Sequence, residues 1–262
     1  MSSRCSVLVA LALMGPGAAF PSCTVKQDRA ECPCKLDLYC SATFSKPVFV
    51  DLRGGGKVMT GSISGSGNGL SSSRMMVPRD RLDILSYSGL EKCTLSGKGE
   101  VRIPLGEQMD PLYTYRSEVD ACGDSASDTL SLHKEYISLQ LVFNNLPEGE
   151  HGFLATVRGG VAGVDISDGS PIGGPFRFSA SPYDGRYCVV RIPRQSGADL
   201  TLNITSGEGY DVEYDLGGLM ESAGFDWMAE ELDDVMLTFD SVETGVQIRI
   251  VQWEEQYDEW EI

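Results

Sequence analysis

Apolar and polar residues alternate in short runs along most of this chain, the two-residue period of strands that bury one face. Leu36-Asp37-Leu38-Tyr39-Cys40 and Val48-Phe49-Val50-Asp51-Leu52 carry it, and Leu82-Asp83-Ile84-Leu85 carries it less regularly. Val101-Arg102-Ile103-Pro104-Leu105 adds a strand ended by proline. Gly54-Gly55-Gly56 reads as a turn or hairpin tip, and the glycines and serines from Gly61 to Ser73 read as a long polar loop. That loop is not closed by the Gly-Lys-Ser or Gly-Lys-Thr of a phosphate-binding loop.

Between Asp120 and Asp128 the chain turns small and polar, and a domain boundary is expected there. Period-two runs resume with Leu130, Leu132, Leu139, Leu141 and Phe143, then at Phe153–Val157, Val161–Ile166, Phe176–Phe178, Tyr187–Ile192 and Leu200–Ile204. Short strands with glycine-rich turns at this spacing predict an all-β chain of tandem β-sandwiches, one over residues 35–127 and one over 128–262. A short helix is expected at Phe225–Leu232, with Trp227 a buried anchor rather than a sugar platform. Near the end, Val246, Ile248 and Ile250 share one face of a final strand, followed by an acidic tail. That strand either closes the second sheet or is donated to another protein's sheet through main-chain hydrogen bonds.

The first residues change the picture from a globular chain to an exported one. Arg4 supplies a positive start, and Val7 to Met14 is an apolar core of leader length. It falls well below the roughly 18 to 20 apolar residues that a spanning helix needs. The leader ends at Phe20-Pro21-Ser22-Cys23, the layout of a bacterial lipoprotein. On that reading residues 1–22 are a signal peptide, Cys23 carries a covalent lipid, and residues 23–34 form a lipidated stem. The alternative is an ordinary secretory leader that leaves Cys23 as a thiol or disulfide partner. Two acyl groups hold a protein firmly on a membrane, whereas one binds only marginally.

The formal charge of -17 argues against nucleic acid or anionic headgroups as partners, so a lipid must make any membrane attachment. Besides Cys5 and Cys23 there are cysteines at 32, 34, 40, 93, 122 and 188, read as structural thiols or one or two disulfides whose pairing the sequence leaves open. His133 lies in a strand-like run and is expected to cap a strand or bond locally, and His151 sits in a turn. Asp165 and Asp168 fit either a calcium loop or simple Asx turns. No Gly-x-Ser-x-Gly elbow or His-Glu-x-x-His occurs, so the residues point away from an enzyme and name no metal or soluble cofactor.

Three stretches resemble the lipid-anchored fimbrial anchor subunits of Bacteroidales. They are Ser22-Cys23-Thr24-Val25-Lys26-Gln27-Asp28-Arg29-Ala30-Glu31-Cys32-Pro33-Cys34, then Gly106–Tyr113 leading to Leu132-His133-Lys134-Glu135-Tyr136, and Gly159–Gly174 around Val164-Asp165-Ile166. The resemblance implies tandem Greek-key transthyretin-like sandwiches held to the outer membrane through a lipid on Cys23. It implies a fimbrial shaft subunit as partner, bound at the base of a fimbrium whose growth the anchor ends. Polymerising relatives lose an N-terminal strand to a protease and accept a neighbour's strand in the vacated groove. A chain tethered through residue 23 cannot lose its N terminus and stay attached, while Val246, Ile248 and Ile250 could still be donated. The competing expectation is a surface adhesin for glycan or host protein without polymerising partners.

Overall fold

The structure, a computed structural model, describes residues 32–40, 46–64, 71–144, 153–182, 186–195, 199–205, 211–240 and 246–251. In chain order the first strands are β1 (Cys34–Cys40), β2 (Val48–Gly54), β3 (Lys57–Ile63), β4 (Ser71–Val77), β5 (Arg81–Ser88), β6 (Thr94–Leu95), β7 (Glu100–Arg102), β8 (Tyr113–Asp120), β9 (Ser125–Leu130) and β10 (His133–Lys134). They continue with β11 (Tyr136–Asn144), β12 (Leu154–Asp165), β13 (Pro171–Ala180), β14 (Tyr187–Pro193), β15 (Thr201–Thr205), β16 (Asp211–Asp215), the helix α1 (Leu216–Ser222), β17 (Asp234–Asp240) and β18 (Val246–Val251). The fold is all-β, a transthyretin-like pair of sandwiches with one short helix among the described residues.

The first sandwich packs a three-stranded sheet, β4-β1-β9, on a five-stranded one, β10-β8-β5-β2-β3. Strand β1 alternates as its sequence requires: Cys34, Leu36, Leu38 and Cys40 are buried, and Lys35, Asp37 and Tyr39 are half-buried on the other face. The buried set meets Val48, Val50 and Leu52 of β2 and Leu82 and Ile84 of β5 in one core. Each such aliphatic side chain contributes about 1.5–3 kcal/mol as an upper estimate. The second sandwich packs β14-β11-β17-β18 on β16-β15-β12-β7-β6, with β13 also on β12. Its core runs from Ile137, Leu139 and Leu141 through Val190, Leu202 and Leu237 to α1 and Trp227.

The two small sheets are built alike. β1 lies between antiparallel β4 and parallel β9, and β11 lies between antiparallel β14 and parallel β17. β18 then adds to β17 as an extra strand, and among the described residues no strand pairs with β9 in the same way. The two halves are also interleaved. β7, although it precedes residue 127, pairs with β12, and Val101 joins Leu85, Met109, Leu112, Val164 and Ile166 in a third core at the junction. Gly89 is required at this junction: at φ +95°, a Cβ there would fall 1.8 Å from Pro111 O.

Two expectations are corrected. The segment from Gly61 to Ser73 is not one long loop, because residues 61–63 belong to β3 and residues 71–73 to β4, both edge strands held by backbone bonds that serine and glycine can also make. The helix expected at Phe225–Leu232 lies earlier, at Leu216–Ser222, where Asp215 caps it by accepting from Gly218 N–H at 2.9 Å. Residues 225–232 form turns instead, with Asp226 Oδ1 accepting from Met228 N–H at 2.8 Å. Trp227 is buried as expected, edge-on to Phe225 at 4.8 Å.

Candidate interaction surface

Two described features could engage a partner: the terminal strand and the outer face of the five-stranded sheet. β18 pairs with β17 in the register Phe239↔Val246, Leu237↔Ile248 and Val235↔Ile250. The three positions expected to act as donor therefore stand opposite three buried residues of the second core. β18 occupies the edge of its sheet, so its outer backbone row faces no further strand among the described residues. Cys23 and the leader lie outside the described residues, as does His151.

The outer face of the five-stranded sheet follows from the same alternation that fills the core. With Val48, Val50 and Leu52 inward, Phe49, Asp51 and Arg53 must point out. Register sets Phe49 against Tyr87, Asp51 against Leu85 and Arg53 against Asp83, and sets Arg116 and Glu118 of β8 beside Leu85 and Asp83. Phe49 is 43% exposed and stacks on Tyr87, with ring centroids 5.4 Å apart and planes at 23°. Burial of the Tyr87 ring pushes its hydroxyl above the ordinary phenol range. At the other end of the face lies a groove of about 300 Å³, lined by Arg53, Asp83, Arg116, Ser117 and Glu118, with Ser167 from the β12–β13 turn. Leu85 lies between the two ends and is covered by the junction core. A partly exposed aromatic pair at one end of this face, with charged side chains and a hydroxyl at the other, is suited to a polyhydroxylated ligand or a polar peptide. The sequence reading named neither Phe49 nor Tyr87 for such a face. The inward reading of Val48, Val50 and Leu52 already placed Phe49 outside.

The junction that supports this face is polar and buried. Lys134 Nζ lies 2.7 Å from Asp234 Oδ1, both side chains only 1% exposed, and Ser138 N–H donates to the same oxygen at 2.6 Å. Glu135 accepts from Thr114 Oγ1 at 2.5 Å and lies 3.7 Å from Arg116 and 4.0 Å from Arg194. Arg116 thus links the groove to the junction. His133 does not bond locally. Its Nδ1 is 2.5 Å from Glu231 Oε1 and its Nε2 is 3.4 Å from Glu230, almost a hundred positions along the chain. Asp110, 2% exposed, accepts at Oδ2 from the N–H groups of Glu91, Lys92 and Cys93 at 2.7, 2.9 and 2.8 Å.

The remaining candidates resolve into structural roles. Asp165 Oδ1 accepts from Ser167 N–H and Asp168 Oδ1 from Ser170 N–H, each at 2.8 Å, so the Asx-turn reading of these aspartates replaces the calcium loop. The bond from Ser170 holds the Asp168 carboxyl below the usual carboxylate range. Among the described residues no group of three or more His, Cys, Asp or Glu is placed to hold a metal ion. Nor is any described helix long and apolar enough to cross a membrane. Cys34, Cys40 and Cys188 are buried thiols, and burial pushes Cys188 up to about 11 and the half-buried Cys93 up to about 12.

No family model and no curated protein matches this chain. Solved structures do match. A candidate polysaccharide-binding protein of Bacteroides thetaiotaomicron aligns with a TM-score of 0.62 at 14% identity, covering 85% of this chain and 100% of that one. A candidate adhesin of the same organism aligns at 0.61 and 14% identity, covering 86% and 99%. The fimbrial anchor protein Mfa2 of Porphyromonas gingivalis aligns at 0.54 and 12% identity, covering 84% and 98%. At such identities the likeness carries the fold, and the chain shares the two-sandwich fold of these adhesin and fimbrial-anchor structures.

Proposed function

We propose that this chain is a surface-displayed adhesive module, lipid-anchored to the outer membrane through Cys23, that binds a glycan or a host protein with the outer face of its first sandwich. The observation that carries the reading is the stacked Phe49–Tyr87 pair on the same face as the groove of Arg53, Asp83 and Arg116. Likeness to a candidate polysaccharide-binding protein and a candidate adhesin over both sandwiches supports it. The lipid positions the module, and no basic surface is needed for attachment. The test is a binding screen of the exported protein against bacterial and host polysaccharides and surface proteins. Phe49→Ala is expected to weaken the ligand found by roughly 3- to 10-fold, the value of one aromatic contact. Binding unchanged by Phe49→Ala and by Arg116→Ala would remove this face from the account.

A second reading is favoured by the position of β1. Cys34, Leu36 and Leu38 are fully buried in the middle strand of their sheet. A subunit that keeps β1 has no vacant groove in its first sandwich for a neighbour's strand, so it would end a polymer rather than extend it. On that reading the chain anchors the base of a fimbrium, and the extra edge strand with Val246, Ile248 and Ile250 is what a shaft subunit receives. Co-purification of a shaft-type subunit that is lost when residues 246–262 are removed would favour the anchor. Retention of glycan binding by the same truncation would favour the adhesin.

A further inference from the structure

Two cysteines far apart in sequence are brought to the same place where the stem enters the first sandwich. β1 and β9 run parallel in constant register, Lys35 against Ser125 and Leu36 against Ala126. Lys35 N–H donates to Asp124 O at 3.1 Å at the start of this ladder. Cys32 and Cys122 each stand three residues before the start of this ladder. A separate contact joins the same two residues. Arg79 Nε donates to Cys32 O at 2.7 Å and its Nη1 donates to Cys122 O at 3.3 Å, while Nη2 pairs with the Asp124 carboxylate. One guanidinium therefore stands between the two carbonyls and holds the two backbones to the same place. Cys122 is exposed and Cys32 half-buried, both as thiols, whereas Cys34, Cys40 and Cys188 are enclosed in the cores.

We propose that Cys32 and Cys122 are joined by a disulfide in the exported protein, and that this bond spreads load from the membrane tether over β1 and β9. The inference rests on the export reading above, since the bond needs an oxidising compartment. The oxidant is an exchangeable protein disulfide. The exposed Cys122 thiolate attacks it and forms a mixed disulfide, releasing one donor thiol; the Cys32 thiolate then displaces the second. The pair loses two electrons and two protons, and the donor disulfide gains both as two thiols. Asp120 beside Cys122 holds its thiol above the ordinary range, so the reaction quickens as pH rises.

The mechanical consequence follows from chain order. Force entering at residue 23 without the bond would pull on β1, which is held in its sheet by backbone bonds to β4 and β9. With the bond, that force is shared between β1, reached through Cys34, and β9, reached through Cys122. The large closed loop also stabilises the sandwich against heat.

The experiment is peptide mapping of the full chain extracted from membranes under non-reducing conditions, with thiols alkylated at lysis. The expected result is one cross-linked pair containing Cys32 and Cys122, lighter than the separate peptides by two hydrogens, and a melting temperature about 10 °C lower after reduction. Cys122→Ser should show the same loss without reductant. Both thiols alkylated in a chain whose leader has been removed would overturn the proposal, as would a cross-link from either cysteine to another. If the leader is intact and both are alkylated, the export reading fails. Oxidised glutathione added to the purified protein then decides the geometry: a Cys32–Cys122 link upholds it, and no link overturns it.

Discussion

Asp110 and the Lys134–Asp234 pair show how much of this molecule depends on single buried charges. Asp110 Oδ2 closes three backbone N–H groups at once, so Asp110→Ala would orphan all of them. A loss of about 3 kcal/mol or more is expected from one buried acceptor serving several donors. Lys134 and Asp234 are both almost fully enclosed, and Lys134→Met would strand the aspartate and cost about 3–5 kcal/mol in chemical denaturation. The double variant Lys134→Met, Asp234→Leu should recover much of that loss, because the remaining partner is then no longer charged and buried. Two thiols set an alkaline limit. Burial raises Cys188 from 9.0 to about 11 and Cys93 from 9.0 to about 12. In the unfolded chain these groups ionise near 9, so stability is full below that and falls as pH rises from about 9 towards 11 or 12. Urea midpoints at pH 8 and pH 10 should differ in that direction, and Cys188→Ala should reduce the difference.

At the scale of elements, β1 is the strand on which the architecture turns. Leu36 and Leu38 sit at 0% exposure in its centre, and Leu38→Ala should cost about 2–5 kcal/mol, measured by urea unfolding. The alternation that buries them was plain in Leu36-Asp37-Leu38-Tyr39-Cys40, as was the inward set of β2 and the period of β11. The segment at 61–73 was misread because serine and glycine announce turns locally, while the ladder bonds that make β3 and β4 depend on partners elsewhere in the chain. The helix was misplaced for a similar reason. Apolar spacing at 225–232 resembles a helix, but the capping aspartate stands at 215 and the tryptophan is buried from a turn. The aromatic face was legible in part: the pattern points Phe49 outward, yet its partner Tyr87 comes from register alone. The junction was not legible, since Lys134 meets Asp234 and His133 meets Glu231 only after both sandwiches have formed.

For the whole molecule, the interleaving of the halves matters more than either sandwich. β7 lies in the sheet of the second sandwich, and the junction core ties Leu85 of the first to Val164 and Ile166 of the second. The groove beside Arg116 therefore sits on a braced surface rather than at a hinge, which suits the ligand site proposed for it. The central claim is that the chain works from the outer membrane through a lipid on Cys23. Intact-mass spectrometry of the membrane-extracted protein, beside Cys23→Ala, tests it most directly. The account predicts a chain that begins at residue 23 and carries a diacyl or triacyl mass, with both the mass and membrane retention lost in the variant. An unmodified mature chain released into the medium would contradict it.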